Sequence, residues 1–421
     1  MSHPDLVMAA RVLGGTDGSS TTPATRSAPE YYTVIPSVRA PRLLVPRGDR
    51  RVAAVAVRHA IVATSRRARL RQAVLASLFS LGVGRRSVGD LIFRDKLLVD
   101  GPARLSARLA AVLNTEVRVS MRFGPDRANR KPVLQLLDAS GACVAFAKVG
   151  VNALTRELVR REVAVLTRLE DQDLGPVRAP RVRYAGQWHA DTELMVVDAL
   201  PVWRPEPTAA GAVETARIAA MRAVAGFGGV RTDAESLDDY LTDLAGRVRA
   251  LDPSPYVGPL LGALDRVRHS GLAIPVGAWH GDWTDGNMAV RDDTVLLWDW
   301  ERFADGVPVG FDALHFHFNR AMGTPTWSAA EATATVRDRS AGLLAPFGVP
   351  PAVAPAVWTL YAAEIATRFL TDRLDRTTSK LGRVSEWLVP ALAAIASGPE
   401  ATTVTGQPGP QDQPGPQERQ R

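Results

Sequence analysis

Residues 280–287 read HGDWTDGN, and Asp299 follows twelve positions after Asn287, within the run LLWDWE at 296–301. This stretch combines a carboxylate, an amide and a second carboxylate at fixed spacing. Transfer of a phosphoryl group to a hydroxyl needs a carboxylate that accepts the hydroxyl proton, and oxygen ligands that hold Mg²⁺ against the phosphates. Asp282, Asn287 and Asp299 have the residue types and the spacing for these roles.

A short hairpin is predicted between the amide and the second carboxylate. Residues 288–290 and 294–298 have the apolar character of strands, and the polar residues 291–293 between them form a turn. Such a hairpin returns Asp299 to a position next to Asn287. Mg²⁺ takes few protein ligands beside phosphate and water oxygens, so one carboxylate and one amide are sufficient, and no His or Cys ligand is required.

The pattern His-Gly-Asp-x-x-x-x-Asn, followed by an apolar residue and Asp-Trp-Glu, resembles the aminoglycoside phosphotransferase and choline kinase group of the protein-kinase-like superfamily. The resemblance covers about residues 116–398. It implies that Asp282 is the catalytic base, that Asn287 and Asp299 bind magnesium, and that His280 belongs to the loop scaffold. It also implies an α+β fold of two lobes, with a small antiparallel-sheet N-lobe and a larger helical C-lobe.

The small lobe must supply a cation for the phosphates if this resemblance holds. Residues 144–148 form the second strand of a predicted hairpin after the turn at 138–141, and Lys148 ends that strand. Residues 154–169 have helical periodicity, and Glu162 falls within their apolar stripe. A buried carboxylate is costly unless it is paired, so Glu162 predicts a cationic partner in the sheet, for which Lys148 is the candidate. The pair resembles the strand lysine and helix glutamate of kinase-like folds, in which the lysine contacts the ATP phosphates.

The loop that would cover the nucleotide is the least typical part of the site. Residues 123–129 lie between two strand-like runs and contain one glycine, Gly124, instead of the pattern G-x-G-x-x-G. The resembled group often lacks the full pattern too, and Gly124 is the predicted cofactor-binding glycine. Residues 129–132 either provide a cation for phosphate or only border the strand. An apolar strand at 194–200 ends at Pro201 and is predicted to connect the lobes.

Composition excludes several classes of protein. The 421 residues are 46% hydrophobic and carry a formal net charge of +7. Cys143 is the single cysteine, which excludes an internal disulfide framework and a thiolate zinc site. No apolar run is long enough to cross a bilayer and the first residues are not signal-like, so we expect a cytoplasmic protein without a membrane partner. Acidic residues nearly balance the basic ones, so nucleic acid is not an expected partner.

The chain divides into five predicted segments. Residues 1–29 are polar and rich in Gly, Ser, Thr and Pro, and residues 400–421 are of low complexity, with a repeated Gln-Pro-Gly-Pro-Gln pattern. Both segments are predicted to be disordered. Residues 30–115 form an accessory segment on the small lobe, residues 116–200 form the N-lobe, and residues 201–399 form the helical C-lobe.

Several polar residues of the C-lobe have two interpretations each. Glu301, Asp305 and Asp312 could serve a cationic acceptor, as acidic residues often do in the resembled group, or could be cap and turn residues. His315 and His317 alternate with aromatic residues and are predicted to be packed within the lobe.

The sequence therefore predicts an ATP- and Mg²⁺-dependent phosphotransferase that acts on a hydroxyl of a small molecule. One alternative is a non-catalytic nucleotide-binding scaffold with a closed acceptor pocket. A second is a protein kinase, which the His-Gly-Asp form and the missing glycine pattern disfavour. The residues leave open the acceptor, the choice between ATP and GTP, and the oligomeric state.

Overall fold

The computed structural model describes residues 3–14, 29–60, 66–83, 86–100, 104–124, 130–189, 191–202, 210–372 and 383–396. Its strands are β1 (Glu30–Ile35), β2 (Leu43–Pro46), β3 (Gly82–Val83), β4 (Arg86–Ser87), β5 (Lys96–Val99), β6 (Arg118–Arg122), β7 (Val133–Leu137), β8 (Cys143–Gly150), β9 (Val177–Arg178), β10 (Val182–His189), β11 (Thr192–Asp198), β12 (Val276–Trp279), β13 (Met288–Arg291), β14 (Thr294–Leu297) and β15 (Ala304–Pro308). Its helices are α1 (Pro4–Gly14), α2 (Arg50–Arg58), α3 (Arg66–Ser80), α4 (Val88–Ile92), α5 (Leu105–Leu113), α6 (Ala153–Leu169), α7 (Ala210–Ala225), α8 (Ala234–Arg249), α9 (Val257–Arg268), α10 (Phe311–Gly323), α11 (Ala329–Asp338), α12 (Ser340–Leu344), α13 (Ala354–Thr371) and α14 (Val384–Ala396), with 3₁₀ turns at Trp300–Arg302 and Ala345–Phe347.

An eight-stranded antiparallel sheet forms the first lobe. Its strands pair in the order β10-β11-β8-β7-β6-β2-β1-β5. Strands β1, β2 and β5 belong to the predicted accessory segment, and β2 pairs directly with β6 through Leu43↔Arg122 and Leu44↔Met121. The accessory segment therefore extends the sheet of the small lobe and shares its core.

Helix α1 corrects the prediction that residues 1–29 are disordered. Leu6, Ala9, Val12 and Leu13 are buried at helical spacing in one core with residues of the sheet and of α5. The indole N–H of Trp188 donates to Val12 O at 2.8 Å, which fixes the helix to β10. The prediction is wrong for residues 4–14 because a short apolar stripe is hard to recognise beside a long polar run. Residues 15–28 lie outside the described part of the chain.

Helix α6 crosses the sheet and ends near the second lobe. Asn152 and Thr155 form a reciprocal capping box at its first turn, which satisfies backbone N–H groups at the helix start. The buried face of the helix includes Glu162, as its position in the apolar stripe predicts. After the helix, β10 and β11 complete the sheet edge, and the chain passes through Pro201 toward the second lobe.

Helices α7–α14 build the second lobe around an aromatic core. Phe318 has edge-to-face contacts with Trp358, Tyr361 and Trp387, at centroid distances of 5.6, 5.9 and 5.4 Å. Such contacts add to the free energy of burial. Two small sheets, β13-β14-β9 and β12-β15, carry the loop at 280–287. Strand β9 precedes β10 in the chain and pairs with β14 in parallel. The predicted two-lobed α+β fold is confirmed.

Two further sequence predictions concern the chain as a whole. Within the described residues, no helix has both the length and the apolar character needed to span a bilayer. The predicted disorder of residues 400–421 lies outside the described part of the chain.

The docking of α1 can be tested by truncating its buried face. We expect Leu13→Ala to lower the free energy of unfolding by about 2–5 kcal/mol, because Leu13 is 1% exposed and its removal leaves a cavity. Val7→Ala in the same helix is the control, because Val7 is 58% exposed. Equal effects of the two changes in urea denaturation would show that α1 does not pack as described.

Candidate active site

The loop at 280–287 follows β12 and is fixed by contacts to its backbone. Asp312, in the first turn of α10, accepts hydrogen bonds from His280 N at 2.7 Å and Gly281 N at 3.1 Å. Gly281 has φ +84°, and a Cβ there would lie 2.2 Å from Arg302 O, so the position requires glycine. Burial raises the pKa of Asp312 to about 7, although the two backbone hydrogen bonds oppose that shift. Asp312 therefore anchors the loop backbone. Of its two interpretations, this agrees with the cap or turn residue and not with a residue that binds the acceptor.

His280 is a buried part of this scaffold. Its Nε2 lies 3.1 Å from Trp298 O, and its Nδ1 accepts from Asp282 N at 3.3 Å. The ring packs edge-to-face against Trp300 at a centroid distance of 4.8 Å. Burial lowers the pKa of His280 to about 4, so the imidazole is neutral at pH 7.

Asp282 presents a partly exposed carboxylate above this scaffold. Asn287 Nδ2 donates to Asp282 Oδ2 at 2.8 Å and to Asp282 O at 2.9 Å, which fixes the carboxylate relative to the loop. His315 Nε2 lies 3.4 Å from Asp282 Oδ1, and the Asp282 side chain is 40% exposed. Burial tends to raise the pKa of Asp282, but hydrogen bonding and charge interaction with His315 bring it below the ordinary value. The group is therefore ionised at neutral pH and able to accept a proton.

The predicted hairpin connects Asn287 to Asp299. Strands β13 and β14 pair from Met288↔Leu297 to Arg291↔Thr294, and Trp298 N donates to Asn287 O at 3.1 Å. Asp299 follows directly, in a left-handed conformation with φ 73°. The hairpin thus places Asp299 one residue beyond a backbone contact with Asn287, as the spacing predicts.

Lys148 joins Asp299 to the first lobe. Its Nζ donates to both carboxylate oxygens of Glu162 at 2.6 Å and to Asp299 Oδ1 at 2.5 Å. Burial alone would lower the pKa of Lys148, but the two carboxylates raise it above its ordinary value. Burial likewise opposes the charge of Asp299, whereas Lys148 and Lys131 hold its pKa well below the ordinary value. The predicted Lys148–Glu162 pair is present and has Asp299 as a third member.

Glu301 is a further member of this group of charges. Ligand oxygens of Glu162, Asp299 and Glu301 all lie within 4.8 Å of one another. Lys131 Nζ contacts Glu301 Oε2, and burial lowers the pKa of Lys131 to about 8. Three carboxylates thus face two ammonium groups, an oxygen-rich donor set that fits a hard divalent cation such as Mg²⁺. Asn287 uses its amide nitrogen on Asp282, which leaves its Oδ1 for such a cation.

Gly124, Lys131 and Asp305 are the other residues that the sequence analysis named for the site. Gly124 follows β6, and residues 125–129, which complete the predicted nucleotide loop, lie outside the described part of the chain. Its cofactor-binding role therefore stays a prediction. Lys131 contacts a carboxylate at the strand entrance, and Asp305 forms an exposed ion pair with Arg168 at 2.5 Å.

Two residues near Asp282 were not assigned to the site from the sequence. His315 is packed in the lobe as predicted, with 2% exposure, yet it also lies between Asp282 and Tyr361, whose hydroxyl is 3.1 Å from His315 Nδ1. The spacing of Asp312 and His315, three residues apart on one helix, could have placed both at the loop. Arg368 donates from Nη1 to Gly281 O at 2.5 Å, a contact across 87 positions that no local pattern indicates.

Several solved kinase structures are similar to this chain. A thermostable mutant of aminoglycoside phosphotransferase APH(4)-Ia, in a ternary complex with ADP and hygromycin B, is 12% identical, covers 71% of this chain and 99% of its own, and has a TM-score of 0.46. Amicoumacin kinase, in complex with AMP-PNP, Ca²⁺ and Ami, is 15% identical, covers 66% and 89%, and has a TM-score of 0.41. A protein described as a fructosamine-3-kinase from Thermobifida fusca is 20% identical, covers 69% and 98%, and has a TM-score of 0.37.

No family model matches the sequence, and no curated protein matches it. Aminoglycoside phosphotransferases, the group that the residues at 280–301 resemble, are among the solved structures that are similar to this chain.

The anchoring of the loop by Asp312 can be tested without a substrate. We expect Asp312→Ala to speed amide hydrogen exchange at His280 and Gly281, because both N–H groups lose their acceptor, and to lower the free energy of unfolding by about 1–3 kcal/mol. Asp338→Ala is the control, because Asp338 is exposed and forms an ion pair with its neighbour Arg337. Unchanged exchange at residues 280 and 281 in Asp312→Ala would contradict the anchoring role.

Proposed function

We propose that this chain is an ATP- and Mg²⁺-dependent phosphotransferase that acts on a hydroxyl of a small molecule. The observation that carries the proposal is that hydrogen bonds and one hairpin connect Asp282 to the Lys148–Glu162 pair. Asp282 is held by Asn287, and the hairpin after Asn287 delivers Asp299 to the Lys148–Glu162 pair. A proton acceptor, oxygen ligands for a metal and a cation for phosphate therefore lie along one connected path.

Each lobe has a separate task in this proposal. Lys148 binds the phosphates of the nucleotide, and Glu162 keeps its ammonium group in place from α6. Asn287 and Asp299 would hold Mg²⁺, which would supply positive charge to neutralise the phosphates.

Asp282 is the general base for the acceptor hydroxyl. It is ionised at neutral pH and its carboxylate is partly exposed, so a hydroxyl can approach it. The backbone bonds to Asp312 and the amide of Asn287 restrict its orientation before the acceptor binds. General-base assistance of this kind contributes about 10²–10⁴-fold in rate, and alignment of the reactants supplies much of the remainder.

The partly exposed carboxylate favours an enzyme over a closed, non-catalytic scaffold. A scaffold that only binds nucleotide has no need for an ionised, accessible Asp282 held by its own amide partner. The two functions differ in a direct measurement, because a scaffold binds Mg·ATP without transferring label to any hydroxyl compound.

The role of Asp282 can be tested by a change that preserves shape. We expect Asp282→Asn to lower kcat by about 10²–10⁴-fold and to leave the dissociation constant for Mg·ATP within about twofold, because the base acts on the acceptor and not on the nucleotide. The assay is transfer of the γ-phosphoryl label to a pool of small hydroxyl compounds, with nucleotide binding measured by calorimetry.

Asp285→Asn is the matched control for this change. Asp285 belongs to the same loop, and its side chain is 50% exposed. We expect this variant to keep its turnover. If Asp282→Asn also turned over at a near-normal rate, Asp282 would not be the base.

A further inference from the structure

A cavity of about 570 Å³ lies beside the candidate active site. Its walls come from α6, α8, β15 and the end of α13, and Glu301 of the charge group reaches it. The loop at 280–287 adjoins it through Trp279, which precedes the loop, and through Arg368, which donates to Gly281 O. The cavity thus borders Glu301 on one side and, on the other, Arg368, which contacts Gly281.

Most charged groups that line this cavity are neutralised by one another. Glu364 accepts two hydrogen bonds from Arg247, at 2.9 and 2.7 Å. Arg302 and Asp372 form a further ion pair. Such pairs satisfy both members and leave little net attraction for a ligand.

Arg368 is the exception among the arginines of the cavity. No carboxylate of the described residues lies within 4.0 Å of its guanidinium. Its Cζ lies 4.7 Å from the centre of the Trp279 ring, so the guanidinium stacks on the indole with one N–H used on Gly281 O. The other donors of the guanidinium fork have no acceptor among the residues that the structure describes.

Trp279 adds a second donor without an acceptor. Its side chain is 1% exposed, and its Nε1–H has no hydrogen-bond partner among the residues that the structure describes. A buried N–H without a partner costs free energy unless an oxygen from elsewhere accepts from it. The wall next to Gly281 therefore has a cation without a carboxylate partner, and this cation lies over an indole whose N–H has no acceptor among the described residues.

We infer that this wall binds an anionic group, a carboxylate or a phosphate, of the acceptor. The inference rests on the proposed function and adds to it the chemical class of the substrate. Arg368 and the Trp279 Nε1–H hold the anionic oxygens, and Gly281 is one residue from Asp282, so the hydroxyl of the same small molecule lies near the base. A planar guanidinium fork matches both carboxylate and phosphate oxygens.

Asp239 is the residue of the cavity that would favour a cationic acceptor. It is an exposed acid of the cavity lining on α8, with no ion-pair partner within the described ranges. A cationic acceptor would bind there and would not need Arg368. The two residues thus give opposite expectations for the charge of the acceptor.

The experiment uses a panel of short hydroxyl compounds that share one carbon skeleton. Its members end in a carboxylate, a phosphate, an ammonium or a neutral amide. Transfer of label from Mg·ATP is measured for the full chain and for Arg368→Gln, Arg368→Lys, Asp239→Asn and the control Arg337→Gln. Arg337 lies on α11, away from the cavity, and pairs with Asp338. Binding of each compound is measured separately by calorimetry.

We expect transfer to the anionic members, and the carboxylate and phosphate arms identify which anion is bound. Arg368→Gln should raise KM for that member by about 10- to 100-fold, the loss expected for a charged hydrogen bond. Arg368→Lys keeps the charge without the fork and should give an intermediate value. KM for ATP should stay within about twofold in both, and Arg337→Gln should match the unchanged chain.

Preference for the ammonium or amide member, or an Asp239→Asn effect without an Arg368→Gln effect, would overturn the inference and leave the phosphotransferase proposal standing. The preference of the unchanged chain decides this even if Arg368→Gln does not fold. If no compound is labelled and Mg·ATP does not bind, the phosphotransferase proposal fails. In that case calorimetry still tests whether the wall binds an anion. Binding of the carboxylate or phosphate compound that depends on Arg368 supports the inference, and no binding of either compound overturns it.

Discussion

The contact of Lys148 with Glu162 and Asp299 is the interaction on which the arrangement of the two lobes depends. Glu162 comes from the helix over the sheet, Lys148 from the sheet, and Asp299 from the end of a hairpin in the second lobe. Removal of the ammonium group would leave two carboxylates, 2% and 31% exposed, without their cation. Breaking a buried pair in this way costs about 3–5 kcal/mol. The charges therefore fix the relative position of the parts that a nucleotide and a metal ion would bridge.

The position of Asp282 depends on this contact, because a short hairpin and one hydrogen bond connect Asp299 to Asp282. The β13–β14 hairpin connects Asp299 to Asn287 in register, and the amide of Asn287 then holds the Asp282 carboxylate. On the other side of the loop, Asp312 fixes the backbone of Gly281. A site of this kind is supported by buried hydrogen bonds before any ligand arrives, which is the condition under which a small molecule can be aligned without further ordering of the protein.

The sequence could predict those features that arise from local spacing. The Lys148–Glu162 pair followed from a carboxylate in an apolar stripe, and the hairpin before Asp299 followed from two apolar runs around a polar turn. The Lys131–Glu301 contact spans 170 positions, and the contact of Arg368 with Gly281 spans 87. No periodicity connects residues so far apart, because their proximity results from the packing of the lobes. Helix α1 is a local feature, but the sequence does not predict it. Its apolar stripe is too short to outweigh the polar residues after it.

The proposed function requires that Asn287, Asp299 and Lys148 together bind a metal–nucleotide complex. This requirement can be measured in a crystal structure of the chain with Mg²⁺ and a non-hydrolysable ATP analogue. We expect an ion about 2.0–2.1 Å from Asn287 Oδ1 and from an oxygen of Asp299. We also expect a phosphate oxygen within hydrogen-bond distance of Lys148 Nζ. Nucleotide bound away from these side chains, or a metal ion that contacts neither Asn287 nor Asp299, would show that these residues do not form the metal–nucleotide site.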